Sequence, residues 1–319
     1  MELIYASTMG FCMGVKRAVE KAENSLHDYP EKYVYTLGPL IHNKTVLESL
    51  EKKGLKILSA DDIDKIDGKN SVVIIRAHGI PPKTMKKLEK TGCIIVNATC
   101  PRVLSSQKRT EKFASDGYDV VIAGDKNHGE VLSIQGYANE NAKTGVKSFV
   151  VENEEQAKNL VLENPKCVVL SQTTFSPAEY TKIVEAVLEK NPNATVLNTI
   201  CSATEERQNA LHELCKKCDL VFVIGGKESA NTRRLYELAK SHCAESNCDD
   251  SEYKVKKAFH FEDVEEFKNS QIVYNALSVV LNAEDCNQDS KLSVGVTAGA
   301  STPESSVNEF VNFLGVTPY

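Results

Sequence analysis

No run in this 319-residue chain approaches the roughly 18 consecutive apolar residues needed to span a bilayer, so no membrane partner is expected. An excess of basic charge is missing too. Lys and Arg number 38 against 44 Asp and Glu, a net charge of −6, which argues against the basic face of a nucleic-acid binder. The opening stretch MELIYASTMGFCMGVKRAVEKA lacks the order of a secretory signal, because its charges follow the apolar residues and no small-residue cleavage site completes it. A cytoplasmic location is the expectation. Ten cysteines fall far short of a disulfide scaffold. In a reducing compartment they read first as buried small hydrophobes and second as metal ligands or nucleophiles. No C-x-x-x-C-x-x-C spacing occurs, which sets aside radical chemistry built on that motif.

What the chain does have is alternation. The length is a prior for about two domains of roughly 150 residues. Short β-branched runs at 3–6, 33–37, 72–76, 94–98, 120–123, 168–171, 196–199, 220–224 and 292–297 alternate with helical patterns at 14–26, 44–53, 82–90, 102–115, 177–190, 203–216 and 232–240. That order predicts a parallel-sheet α/β fold. A weak repeat runs through it. IIVNATCPRV (94–103) and TVLNTICSAT (195–204) share an apolar strand, then Asn, Thr and a Cys opening a helix, and IYASTMGFCMGV (4–15) is a looser third copy. One cysteine per copy predicts three small α/β lobes around a centre: 13–100, 101–197, and 198–319 joined by 1–12. The polar stretch near 244–291 reads as an irregular insertion in the last lobe.

In parallel α/β folds, ligands collect outside the carboxyl ends of strands, where the next helix begins. Cys12, Cys100 and Cys201 all fall at such junctions, and a helix N-terminus favours the thiolate. Soft thiolates select iron–sulfur clusters, zinc or Cu(I), and three ligands leave one position open for reaction. Core burial is the commoner fate of any single cysteine. The shared context of these three is what singles them out. Cys215 and Cys218 form a C-x-x-C at a helix end with no second pair or His nearby, and read as a decoy. Cys93 and Cys167 precede apolar strands and read as core, while Cys243, Cys248 and Cys286 take no role.

Three histidines fall in turns after strands: His42 in GPLIHN, His78 in RAHGIPP and His128 in KNHGEV. Imidazole can donate to phosphate oxygens. SQTTFSP (171–177), GGKESANT (225–232) and TAGASTP (297–303) each end a strand and open a helix with hydroxyl or amide donors, a phosphate-binding arrangement when it is more than N-capping. Glu130, two residues after His128, is the carboxylate embedded in these turns. It is either a proton relay or a solvated first-turn Glu favoured by the helix dipole.

Taken in order, GFCMGVKRAV, TLGPLIHN, RAHGIPP, NATCPRV, GDKNHGEV, SQTT, NTICSATEERQ, GGKESANT and GVTAGASTP make the chain resemble, over nearly its whole length, the 4-hydroxy-3-methylbut-2-enyl diphosphate reductases (LytB-type). The resemblance implies a pseudo-threefold trefoil of three α/β lobes around one [4Fe–4S] cluster, ligated by the matching Cys12, Cys100 and Cys201. It implies that the open iron binds the hydroxyl of a small diphosphate, and that two electrons with protons expel it as water. The matching proton source is Glu130, with Thr173 and His128 beside it. His42, His78, His128, Thr173, Thr174, Ser229, Asn231 and Ser301 match substrate contacts, and ferredoxin or flavodoxin is the implied electron donor. Ala230 departs from the pattern where many members carry a second Ser. A non-redox cluster hydratase and, further off, an electron carrier are the competing readings. An open iron argues against the carrier, and a requirement for reductant separates reductase from hydratase.

Overall fold

A computed structural model describes residues 2–246, 251–270 and 292–314. In chain order its strands and helices are β1 (Glu2–Tyr5), α1 (Met13–Asp28), β2 (Tyr33–Leu37), α2 (Lys44–Lys52), β3 (Lys56–Leu58), β4 (Ser71–Ile75), α3 (Pro82–Glu89), β5 (Ile94–Asn97), α4 (Pro101–Ser115) and β6 (Asp119–Ala123). There follow α5 (Gly129–Glu140), β7 (Ser148–Val151), α6 (Glu154–Asn159), β8 (Cys167–Ser171), α7 (Pro177–Lys190), β9 (Thr195–Val196), α8 (Ser202–Lys217), β10 (Leu220–Ile224), α9 (Ala230–Glu245), β11 (Lys257–Phe261), α10 (Val264–Lys268), β12 (Ser293–Ala298) and α11 (Glu304–Phe313). They build three four-stranded sheets in the orders β1-β12-β10-β11, β3-β2-β4-β5 and β7-β6-β8-β9. Every pairing is parallel. That is the α/β class the alternation predicts.

The chain divides into two compact units. The first comprises Met1–Cys12, His42–Val46 and Ser202–Tyr319, and holds the sheet of β1, β10, β11 and β12. Its core is a cluster of Phe222, Phe261, Phe267 and Phe310 with edge-on and stacked ring contacts, packed on Val294 and Val296. The second unit, Met13–Ile41 and Leu47–Cys201, holds the other two sheets. The central strands β4, β6 and β8 are buried along their whole length, because helices cover both faces of a parallel sheet. α4 and α5 pack along each other and join the two sheets of this unit; Gln107 of α4 donates to Ser133 Oγ of α5 at 2.7 Å.

Helix starts follow local chemistry. Pro101 and Pro177 occupy the first helical position of α4 and α7, where the missing N–H costs nothing. Ser176, Ser229 and Asp263 cap α7, α9 and α10 with side-chain oxygens.

The structure departs from the sequence expectations at sheet edges. β3, β7 and β11 go unrecognised in the sequence, being short and mostly not fully buried. β11 and α10 lie inside the 244–291 stretch read as irregular. Part of it is therefore an ordinary edge strand and helix, with Phe261, Val264 and Phe267 in the core. Cys248 and Cys286 lie outside the described residues. β9 is two residues long, not four: Leu197 still donates to the Val169 carbonyl, but beyond it Ser171 is met by the Thr199 hydroxyl instead of by backbone.

Candidate active site

The nine motifs quoted in order follow the carboxyl ends of parallel strands: GFC after β1, GPLIHN after β2, RAHG after β4, ATC after β5, GDKNHGE after β6, SQTT after β8, NTIC after β9, GGKES after β10 and GAST after β12. This is where the orphan N–H groups of the next helices point.

In the second unit a chain of contacts runs between two of the three candidate cysteines. The Cys100 amide donates to the Ala77 carbonyl at 2.9 Å, beside His78. The His78 and His128 rings meet edge to face with centroids 5.0 Å apart. His128 caps α5, its Nδ1 accepting from the Glu130 amide at 3.2 Å. The other ring nitrogen, Nε2, is the position from which this imidazole can donate. The Glu130 carboxylate accepts from the Thr173 amide at 2.6 Å and from Thr173 Oγ1 at 2.8 Å. The Thr173 carbonyl in turn accepts from the Cys201 amide at 2.8 Å. His78, His128, Glu130, Thr173, Cys100 and Cys201 are thus brought into one network.

Glu130 is 2 % exposed. The reading of a solvated first-turn Glu is overturned: α5 packs this side chain inward against the loop after β8. Burial raises its pKa to about 7. The two Thr173 hydrogen bonds work in the opposite direction, and the Asp125 charge adds to the rise. An acid balanced near neutrality can both hold and give up a proton.

Two further residues of this network are missed by sequence reasoning. Buried Gln172 accepts from the Asp125 amide at 3.0 Å and donates to Thr174 Oγ1 at 2.9 Å, orienting Thr174. An amide side chain inside the SQTT turn is the signal that could have marked it. Arg76 packs its guanidinium so close to Gly129 that a Cβ there would lie 2.5 Å from Nη2, and burial lowers its pKa. Gly79 takes φ +73°, and a Cβ on it would lie 2.4 Å from Gln107 Nε2, so the turn bearing His78 needs glycine.

In the first unit Ser229 Oγ caps α9 through the Thr232 amide, and Asn231 Oδ1 accepts from the Ala300 amide at 2.9 Å. Asn231 is buried, and its Nδ2 donor has no hydrogen-bond partner among the described residues; the same holds for the buried Oγ1 of Thr232. Ser301 is buried in the next turn. The His42 backbone approaches Gly226 so closely that a Cβ there would lie 2.4 Å from the His42 carbonyl oxygen. His42, Ser229, Asn231 and Ser301 therefore belong to one unit, with unspent donors beside the GGKES turn.

The cysteines separate into two kinds. Cys12, Cys100 and Cys201 are partly exposed and outside any disulfide, each directly preceding a helix. Cys167, Cys215 and Cys218 are buried, and burial pushes each thiol up to about 12, so they stay protonated. Burial also raises Cys243.

Three parallel α/β sheets with a buried, raised-pKa carboxylate and hydroxyl and amide side chains at their strand ends are the architecture of an α/β enzyme. The LytB protein family matches residues 3–315, and the chain belongs to that family. It is 37% identical over 310 residues to a 4-hydroxy-3-methylbut-2-enyl diphosphate reductase of Clostridium perfringens, covering 97% of each chain. A protein of the same name from Caldanaerobacter subterraneus is 36% identical over 311 residues, with 98% of this chain and 96% of that one covered. Among solved structures, the E-1-hydroxy-2-methyl-but-2-enyl-4-diphosphate reductase from Plasmodium falciparum aligns with TM-score 0.82 and 28% identity, over 99% of this chain and 89% of that one. A second, described as the terminal enzyme of the non-mevalonate pathway, aligns with TM-score 0.66 and 32% identity over 99% of both.

Membership implies an iron–sulfur cofactor. The donor chemistry fits one: Cys12, Cys100 and Cys201 are partly exposed thiols at helix N-termini, whereas burial pushes Cys167, Cys215 and Cys218 up to about 12.

Proposed function

We propose that this chain reduces 4-hydroxy-3-methylbut-2-enyl diphosphate to isopentenyl and dimethylallyl diphosphate, consuming two electrons and two protons and releasing the hydroxyl as water. The observation that carries the reading is the buried Glu130–Thr173 pair, joined to Cys201 by a backbone hydrogen bond and to the Cys100 loop through the His128 and His78 rings. Near-full-length similarity to reductases of that name supports it. In the proposal Cys12, Cys100 and Cys201 hold one [4Fe–4S] cluster with an open iron, which when bound supplies electrons and a Lewis-acid position.

The rest falls to side chains. Glu130 delivers a proton to the leaving oxygen, and Thr173 orients both the acid and the substrate hydroxyl. The diphosphate is taken by His42, His78, His128, Ser229, Asn231 and Ser301. Asn231 Nδ2 is a neutral donor that can bind a phosphate oxygen, and the His128 imidazole adds a second ring donor. Thr174, held by Gln172, adds a hydroxyl. Ferredoxin or flavodoxin supplies the electrons, and the site of action is the cytoplasm. Among the described residues no helix is long and apolar enough to cross a membrane.

The test is anaerobic conversion of the hydroxy diphosphate, with and without dithionite. The proposal expects both isoprenyl diphosphates and a strict need for reductant. Turnover without reductant would replace it with a hydratase.

A further inference from the structure

The proposed reaction consumes two electrons that no residue of this chain supplies, so a donor must come close to the thiolate loops. In the second unit the loop between β5 and α4, which carries Cys100, is flanked by an unusual collection of cations. Arg17 and Lys21 stand one turn apart on α1. Arg17 Nη1 donates to the Thr99 carbonyl at 2.9 Å, and Lys21 Nζ donates to the Asn97 carbonyl at 2.7 Å. Neither has a carboxylate partner among the described residues. The two repel each other: the Lys21 ammonium is held below its ordinary pKa first by burial and then by the Arg17 charge. Like charges one helical turn apart are unfavourable, and here the two are held by backbone carbonyls, with no ion pair to either among the described residues.

The neighbouring residues strengthen the same field. Lys16 on α1 and Arg102, two residues after Cys100, are exposed and make no ion pair among the described residues. The carboxylate on this stretch of α1 is Glu20. Four cations against one acid thus stand on a chain whose net charge is −6. Met13, one turn before Arg17 and directly after Cys12, is 62 % exposed and offers a soft apolar contact amid the charges.

We propose that the face formed by Met13, Lys16, Arg17 and Lys21 of α1 with Arg102 of α4 is the docking surface for an acidic one-electron carrier protein. The proposal rests on the reductase reading and adds to it where the electrons enter. An acidic carrier is repelled by the chain as a whole and attracted at this face, so the field orients the encounter. Each carrier is oxidised by one electron, and two must dock in turn for each C–O bond broken and each water released with two protons. That demands a small, salt-sensitive, quickly dissociating interface, which charge steering around one exposed methionine provides.

The experiment uses the intact anaerobic protein and a flavodoxin as probe. Association is measured directly on immobilised protein as salt is raised, for wild type, for Lys16→Glu with Arg102→Glu, and for the same charge change placed on other surfaces by Lys143→Glu with Lys182→Glu. The proposal expects wild-type association to weaken steeply with salt. The Lys16/Arg102 variant should bind on the order of tenfold or more weakly at low salt, and the Lys143/Lys182 variant within about twofold of wild type. Dithionite-driven turnover should be the same in all three. Equal flavodoxin binding in wild type and the Lys16/Arg102 variant, or an equal loss in the Lys143/Lys182 variant, would overturn the docking assignment. Failure of wild type to turn over with dithionite would instead overturn the reductase reading, a separate outcome because binding is read without activity.

Discussion

Glu130 and Thr173, 43 residues apart in sequence, are joined by two hydrogen bonds: both carboxylate oxygens accept from the one threonine, at 2.6 Å from its amide and 2.8 Å from its hydroxyl. The amide bond belongs to backbone and survives any substitution of Thr173 that keeps the turn. The hydroxyl bond is removable. It favours the ionised carboxylate, against the burial that raises the pKa to about 7.

Thr173→Val should therefore raise the Glu130 pKa further. A hydrogen bond to a charged group is worth roughly 1.5–3 kcal/mol, on the order of one to two pH units. Glu130 acts as an acid, so turnover falls as it ionises. The alkaline limb of the pH–rate profile should move to higher pH in the variant, while peak turnover drops because the substrate hydroxyl loses its orienting partner. An unmoved alkaline limb would separate the limb from Glu130.

Glu130 also carries a stability cost with a definite sign. Its folded pKa of about 7 lies above the ordinary 4.5 of the unfolded chain. Between those values the unfolded state gives up the proton and the folded state keeps it, so stability falls as pH rises from about 4.5 to about 7 and then levels off. The full effect is on the order of 3 kcal/mol. Glu130→Gln removes it. Thermal unfolding should show the variant more stable than wild type at pH 8, with the difference shrinking towards pH 5.

Asn231 should act on binding. Its Nδ2 is buried and unspent while its Oδ1 is committed to the Ala300 amide. Asn231→Asp keeps that acceptor and replaces the donor with negative charge, so KM for the diphosphate should rise by about tenfold or more with a smaller change in kcat. Steady-state kinetics at saturating reductant reads both.

Gly79→Ala should be strongly destabilising. The residue has φ +73°, and the added methyl would lie 2.4 Å from Gln107 Nε2 and 3.0 Å from Ser133 Oγ, within the hydrogen bond that joins α4 to α5. A loss on the order of 2 kcal/mol or more is expected in denaturant unfolding.

How far the sequence could be read varies with what fixes each feature. β4, β6 and β8 are unbroken apolar runs because both faces are covered, and such runs are visible in one dimension. β3, β7 and β11 sit at sheet edges, where partial exposure removes the apolar signal, so they are invisible until paired. The motifs themselves are legible because strand-to-helix turns demand particular residues: glycine at Gly79, proline after Cys100, a cap at Ser229. The burial of Glu130 is not legible. A first-turn glutamate looks the same whether it meets water or Thr173, and only the packing of α5 against the loop after β8 decides. Arg17 reaching the Thr99 carbonyl is hidden for the same reason, since it joins residues 82 apart.

The central claim, a reductive site served by Glu130, meets its most direct test in one assay. Anaerobically purified wild type and Glu130→Gln are compared for dithionite-driven conversion of 4-hydroxy-3-methylbut-2-enyl diphosphate, with iron and sulfide determined on the same samples. Both proteins should carry equal iron. The wild type should form isopentenyl and dimethylallyl diphosphate, and the variant should be slower by a factor on the order of a hundred or more. Equal turnover by the two proteins, or none by an iron-loaded wild type, would contradict it.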